Sequence, residues 1–184
     1  MLAVVGCDSS TSPDRAARGD ASVQVSGDIE DAFSAGALHL STTLTGGGSA
    51  DLDVGDTVRV QIINFLPSQE SIGRFELARV TDSEGFDAGD GSVGEADEDW
   101  GPFEAGAVPD QWILFAVLDD LDGYSGMLFS TGGTISIPQA SGQGQVAGSV
   151  EATMQGQLTR AGSTVPILVD VEIDFESLPS SGGF

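Results

Sequence analysis

The 184-residue chain has no lysine, six arginines, one cysteine and one histidine, and each shortage removes a class of function. Six cations against 29 Asp and Glu leave a formal charge of −23. Such a surface repels phosphate backbones and anionic headgroups, so nucleic-acid binding is excluded. One cysteine cannot form an intramolecular disulfide. Zinc sites usually take several His or Cys, and a catalytic triad needs a base and an orienting group besides its nucleophile, so neither can be assembled. His39 falls on the more polar side of its segment and is read as an ordinary surface residue. No apolar run reaches the eighteen or so residues that span a bilayer as a helix. Helical periodicity is also missing, with residues 29–33 the one place for a single turn.

Period-two alternation is what the chain has instead. In residues 145–176, Val146, Gly148, Val150, Ala152, Met154, Gly156 and Leu158 fall on one side, with Ser149, Glu151, Thr153, Gln155 and Gln157 opposite. After Arg160-Ala161-Gly162-Ser163 the rhythm resumes. Val165, Ile167, Val169, Val171, Ile173 and Phe175 then alternate with Asp170, Glu172, Asp174 and Glu176. Only a strand alternates its side chains this way, so the stretch predicts a long antiparallel hairpin with one wet face. Shorter alternating segments lie at 22–26, 38–44, 58–62, 75–80, 127–129 and 134–137. The run Trp112 to Leu118 is apolar throughout and predicts a strand covered on both faces. With 26 glycines punctuating the segments, the expectation is an all-β fold. It would be an antiparallel β-sandwich or partly closed barrel of about 8–10 strands ending in the long hairpin. Gly148 and Gly156 are expected to let that hairpin curl. Residues 22–177 form the expected domain. Residues 82–106, rich in Asp, Glu and Gly, read as an acidic mobile loop, and 178–184 as a disordered tail.

At the N-terminus, Val4-Val5-Gly6-Cys7 resembles the lipobox of bacterial lipoproteins: a branched apolar residue three before the Cys and a small one directly before it. The resemblance implies cleavage before Cys7 and a lipid on its sulfur. Residues 1–6 would be a truncated signal-peptide remnant and 7–21 a flexible tether. Gly133-Thr134-Ile135-Ser136-Ile137, Gly144-Gln145-Val146-Ala147-Gly148-Ser149-Val150 and the closing hairpin also look like the end of small bacterial lipoproteins with an all-β envelope domain. The implied location is the bacterial cell envelope, on the outer membrane, facing the periplasm or the exterior. The implied partner is the membrane itself, held through the lipid on Cys7. An outer-membrane barrel is set aside, because the hairpin's outward face carries acids where lipid requires apolar groups.

Several local patterns suggest chemistry. Asp119, Asp120 and Asp122 gather carboxylates in one turn, as calcium sites do, without the spacing of an EF-hand; the same residues also make turns. Trp100 and Phe103 beside the acidic loop are candidates for stacking on a sugar ring. Val54-Gly55-Asp56-Thr57-Val58 followed by Asn64 resembles a cupredoxin turn, but one His and one lipidated Cys exclude the copper site. Carboxylate pairs could hydrolyse glycosides, yet with so many acids no particular pair is singled out. The sequence therefore predicts a lipid-anchored, non-enzymatic envelope protein with a binding or structural role and no cofactor. A carbohydrate-binding or calcium-dependent adhesion module is the alternative. An envelope hydrolase ranks third and has no nominated residues.

Overall fold

The computed structural model describes residues 18–45, 57–68, 72–83, 85–96, 110–140 and 144–180. Within them the alternating segments become nine strands: β1 (Gly19–Gly27), β2 (Asp31–Thr45), β3 (Thr57–Pro67), β4 (Gly73–Thr81), β5 (Gly89–Val93), β6 (Ile113–Leu121), β7 (Tyr124–Ala140), β8 (Val146–Arg160) and β9 (Ser163–Pro179). Neighbours run β7-β6-β4-β3-β2-β1-β9-β8, and β8 pairs back onto β7. Eight antiparallel strands thus close into a barrel, which leaves none of the eight with an open edge. β5 is a ninth strand laid on the upper part of β7, where Gly133 to Ile137 extend past β6.

The long hairpin is the closing wall. β8 pairs with β9 along its whole length, from Val146 opposite Ser177 to Arg160 opposite Ser163. Along β9, Ile167, Val169, Val171, Ile173 and Phe175 are buried, while Leu168, Asp170, Glu172, Asp174 and Glu176 are exposed. A Cβ on Gly148 or Gly156 would run into the β7 backbone at the Ser136 or Met127 carbonyl. Glycine therefore lets β8 approach β7 closely, at Gly148 where the ladder slips between Ser136 and Gln139, and at Gly156 within the regular register.

The barrel interior is one continuous apolar core that includes Val23, Phe65, Phe75, Leu77, Trp112, Leu114, Leu128, Met154 and Phe175. A smaller cluster of Val60, Ile62, Ala78, Ala96 and Ile113, with Val80 and Phe129 packed against it, sits on the outer face of β3, β4, β6 and β7. β6 is accordingly buried on both faces, as its unbroken apolar run implies.

The structure corrects several expectations. Residues 89–93, expected within the mobile loop, form β5, and Phe86, Val93 and Ala96 around it are buried. Segments 127–129 and 134–137 belong to one strand, β7. β1 begins at Gly19, inside the stretch read as tether, and β9 runs to Pro179, inside the stretch read as tail. Residues 31–33 open β2 and take no helical turn. The largest correction concerns β2. Its small and polar side, Ala35, Ala37 and His39, faces the core, and Leu38 and Leu40 point outward, half-buried. His39 is only 4% exposed, so it is no surface residue.

Candidate functional site

β1 is short, and above its first residues β2 and β9 meet directly, pairing Leu38 with Leu178 and His39 with Pro179 in parallel. The Ser180 amide donates to the His39 carbonyl at 2.8 Å. This junction places the His39 ring inside the upper end of the barrel, beside Ser177 of β9. His39 Nδ1 lies 3.0 Å from Ser177 Oγ, and that hydroxyl donates to the Val146 carbonyl of β8 at 3.0 Å. A serine hydroxyl has one proton. With that proton on Val146, Nδ1 must be the protonated nitrogen and must donate to Ser177. Nε2 is then a bare acceptor, buried without a hydrogen-bond partner among the described residues. Burial holds the imidazole below its ordinary pKa, opposed by a hydrogen bond with the Ser177 backbone that favours the charged ring.

Across the same opening, β3 and β4 place two more polar groups on their inward faces. Gln61 and Arg79 share the core-facing parity of Ile63 and Phe65, and of Phe75 and Leu77. Arg79 Nε donates to Gln61 Oε1 at 2.8 Å, and Gln61 Nε2 donates to the Gly85 carbonyl at 2.7 Å. The Arg79 guanidinium lies 4.6 Å over the Trp112 ring, a cation–π contact worth about 0.5–2 kcal/mol. Its Nη2 is buried without a hydrogen-bond partner among the described residues. Burial lowers the guanidinium's pKa, and the carboxylates of Asp110 and Asp87 pull it back up. It stays charged throughout the accessible range.

Residues 85–88 close the opening. Phe86 stacks on Trp112 at 6.1 Å and meets the His39 ring edge-on at 5.0 Å. Guanidinium, indole, phenyl and imidazole thus form one column across the barrel mouth. The segment is held by the Gln61–Gly85 bond, by Ser83 Oγ donating to Asp87 at 2.6 Å, and by Arg59 Nη1 donating to the Asp82 carbonyl at 2.9 Å. Thr81 Oγ1 donates to Asp110 at 2.6 Å and fixes the chain entering β6. Chemically, the mouth offers one unpaired cationic donor edge, one unpaired neutral acceptor and stacked rings between them.

The residues nominated from sequence lie elsewhere. Asp119 and Asp120 end β6 exposed, and Asp122 sits in the tight β6–β7 turn at φ 50°, followed by Gly123 at φ 80°. Asp120 Oδ1 accepts from the Gly123 amide at 2.9 Å, and Asp122 lies 3.5 Å from Arg160. These carboxylates build the turn. Among the described residues no three His, Cys, Asp or Glu are grouped to hold a metal ion. Cys7, Trp100 and Phe103 lie outside the described residues. Sequence reading missed Arg79, Gln61 and Phe86. The signal for the first two was available, since each shares the parity of large apolar neighbours. Phe86 stood alone among Asp and Gly and carried none.

Comparison of the chain with protein-family models, with curated proteins and with solved structures finds no significant match.

Proposed function

We propose that this chain is a non-enzymatic binding module of the bacterial cell envelope, tethered to the membrane by lipid on Cys7, whose recognition site is the barrel mouth. The ligand class that fits is a small ring-bearing carboxylate. The observation that carries the reading is the pair of buried groups unpartnered among the described residues, Arg79 Nη2 and His39 Nε2, at the two ends of a column whose middle is filled by Trp112 and Phe86. Buried polar atoms are nearly always satisfied, and an unpaired guanidinium edge is built for a carboxylate. Phe86 occupies the place a ligand's ring would take, on a short segment that can swing out.

The non-enzymatic character is supported by the direction of the His39–Ser177 bond. The imidazole donates to the hydroxyl, whose own proton is committed to a backbone carbonyl, so the pair is not set up as base and nucleophile. The envelope reading is supported by the lipobox at Cys7. It is also supported by a barrel whose apolar side faces inward while β9 turns acids outward. That polarity suits a wall that faces water and is the reverse of a lipid-facing one.

Phe86→Ala tests the site by vacating the ring position. At neutral pH, benzoate should raise the melting temperature of this variant well above the shift given by benzyl alcohol, since a ligand bound by the native state alone stabilises it. Arg79→Met in the same background should abolish the difference between the two. Equal shifts for both compounds, or none for either with the barrel's circular dichroism intact, would remove the reading. Mass spectrometry of the native N-terminal peptide tests the anchor, and an unmodified Cys7 thiol would end that part.

A further inference from the structure

The mouth also carries a means of opening. We infer that His39 is an acid-sensitive latch: a proton taken up at Nε2 displaces Phe86 and residues 85–88 and uncovers the barrel mouth. The inference rests on the mouth being the binding site for its purpose, and on the geometry around the ring for its physics.

The neutral ring fits where it is. Nδ1–H is satisfied by Ser177, and the bare Nε2, though unpartnered, carries no charge beside the Phe86 ring. A second proton changes both terms. Nε2–H becomes a buried donor with no acceptor, and the ring becomes a buried cation at 4% exposure.

Among the described residues, no carboxylate packs against the ring to neutralise that charge. β9 offers Ser177, β8 the Val146 carbonyl behind it, and β3 Ile63 directly opposite His39 and Gln61 one rung above. Residues 85–88 offer Phe86, with Asp87 next in the chain bonded to Ser83. β4 offers Arg79, a like charge, and Asp110 is held by Thr81 on the Arg79 side of the mouth. The Ser177 backbone and a cation–π contact with Phe86 offer partial compensation, and burial outweighs it.

Relief lies in whichever neighbour moves most easily. His39, Ser177 and Val146 are each held in strands of the closed barrel. Residues 85–88 lie between strands and are pinned by a few side-chain bonds, so they belong to the low-stability end of the molecule. Their departure lets water reach Nε2, and it exposes Trp112 and the Arg79 edge together.

The direction in pH follows from burial. The folded-state pKa lies below the ordinary imidazole value, so the closed mouth is fully favoured above that value. Closure is progressively lost as the pH falls below it.

Acrylamide quenching of Trp112 fluorescence, in a Trp100→Phe background, reads the opening without any ligand. Between about pH 7.5 and about 5.5, on either side of the imidazole range, the quenching constant should rise severalfold while the far-ultraviolet strand signal stays unchanged. His39→Asn keeps a donor toward Ser177 and cannot titrate, and it should hold the low value at both pH values. Three results would each overturn the latch: a flat wild-type profile, the same rise in His39→Asn, or a rise that appears only with loss of the strand signal. Ligand binding is measured separately at neutral pH in the Phe86→Ala variant, so failure of one proposal leaves the other standing.

Discussion

Glu76 shows how one residue can work against the fold that holds it. It lies on the outer face of β4, between Asn64 of β3 and Phe115 of β6, with its side chain 13% exposed. Burial raises its carboxyl pKa, and Arg74 at 3.9 Å lowers it again. Arg74 is half exposed, so that pairing is screened and weak. A raised folded-state pKa means the folded protein prefers the protonated acid. The associated stability is present below the ordinary glutamate value and is lost as the pH rises through the shifted one. Glu76→Gln should therefore stabilise the protein at neutral pH, because the amide has no charge for burial to penalise. Near pH 4 the gain should shrink toward zero. Urea midpoints at the two pH values measure it, and equal gains at both would place the effect in packing instead of charge.

At the scale of the element, β2 decides how far a two-residue rhythm can be trusted. Ala37 is fully buried opposite Phe65, and Leu40 stands outside beside Ile62. Hydropathy points the other way, because Leu38, Leu40 and Thr42 are the greasier set. The barrel interior is already filled by Phe65, Phe75, Trp112 and Phe175, so the strand facing them must be lined with small residues. Ala37→Leu should therefore overpack the core and cost about 2 kcal/mol or more, while Leu40→Ala should cost about 1 kcal/mol. Thermal or urea unfolding that reversed this order would put Leu40 back inside. The closing hairpin was legible because one of its faces meets the core and the other meets water, a contrast that composition records directly. β3 and β4 are covered on both faces over part of their length, by the core inside and by the Val60–Ile62–Ala78 cluster outside, and on β2 the outward Leu38 and Leu40 are themselves half-buried. Covered on both sides, alternation no longer says which side is in. The mouth was hidden in part for the same reason. His39 reads as polar decoration on an exposed face until the barrel closes over it, while Gln61 and Arg79 share the parity of the inward Ile63 and Leu77. β5 was missed because Gly89-Asp90-Gly91-Ser92 has turn composition, and only the free upper edge of β7 makes it a strand.

Over the whole molecule, electrostatics opposes compaction, and it is uneven around the barrel. Asp170, Glu172, Asp174 and Glu176 line the outer face of β9, with Glu151 of β8 directly opposite Glu172 and Asp20 of β1 directly opposite Glu176. Like charges paired across strands each cost about 0.2–1 kcal/mol. Alternate residues on one face are only about 7 Å apart. The Debye length is about 30 Å at 0.01 M salt and about 3 Å at 1 M, so this whole face repels itself in dilute buffer and is screened in concentrated salt. The two opposed pairs alone account for about 1 kcal/mol, and at about 2–4 °C per kcal/mol for a chain of this length the shift is measurable. Sodium chloride from about 0.01 M to about 1 M should raise the melting temperature by at least about 3 °C. Chloride is the salt to use, because sulfate strengthens apolar burial by exclusion and would mimic the effect. Glu172→Gln removes one opposed pair, so it should raise the melting temperature in dilute buffer and flatten the salt dependence. A melting temperature that stayed level or fell with chloride would mean the acidic face is already neutralised, and the net charge of −23 would then have no part in setting the stability of this barrel.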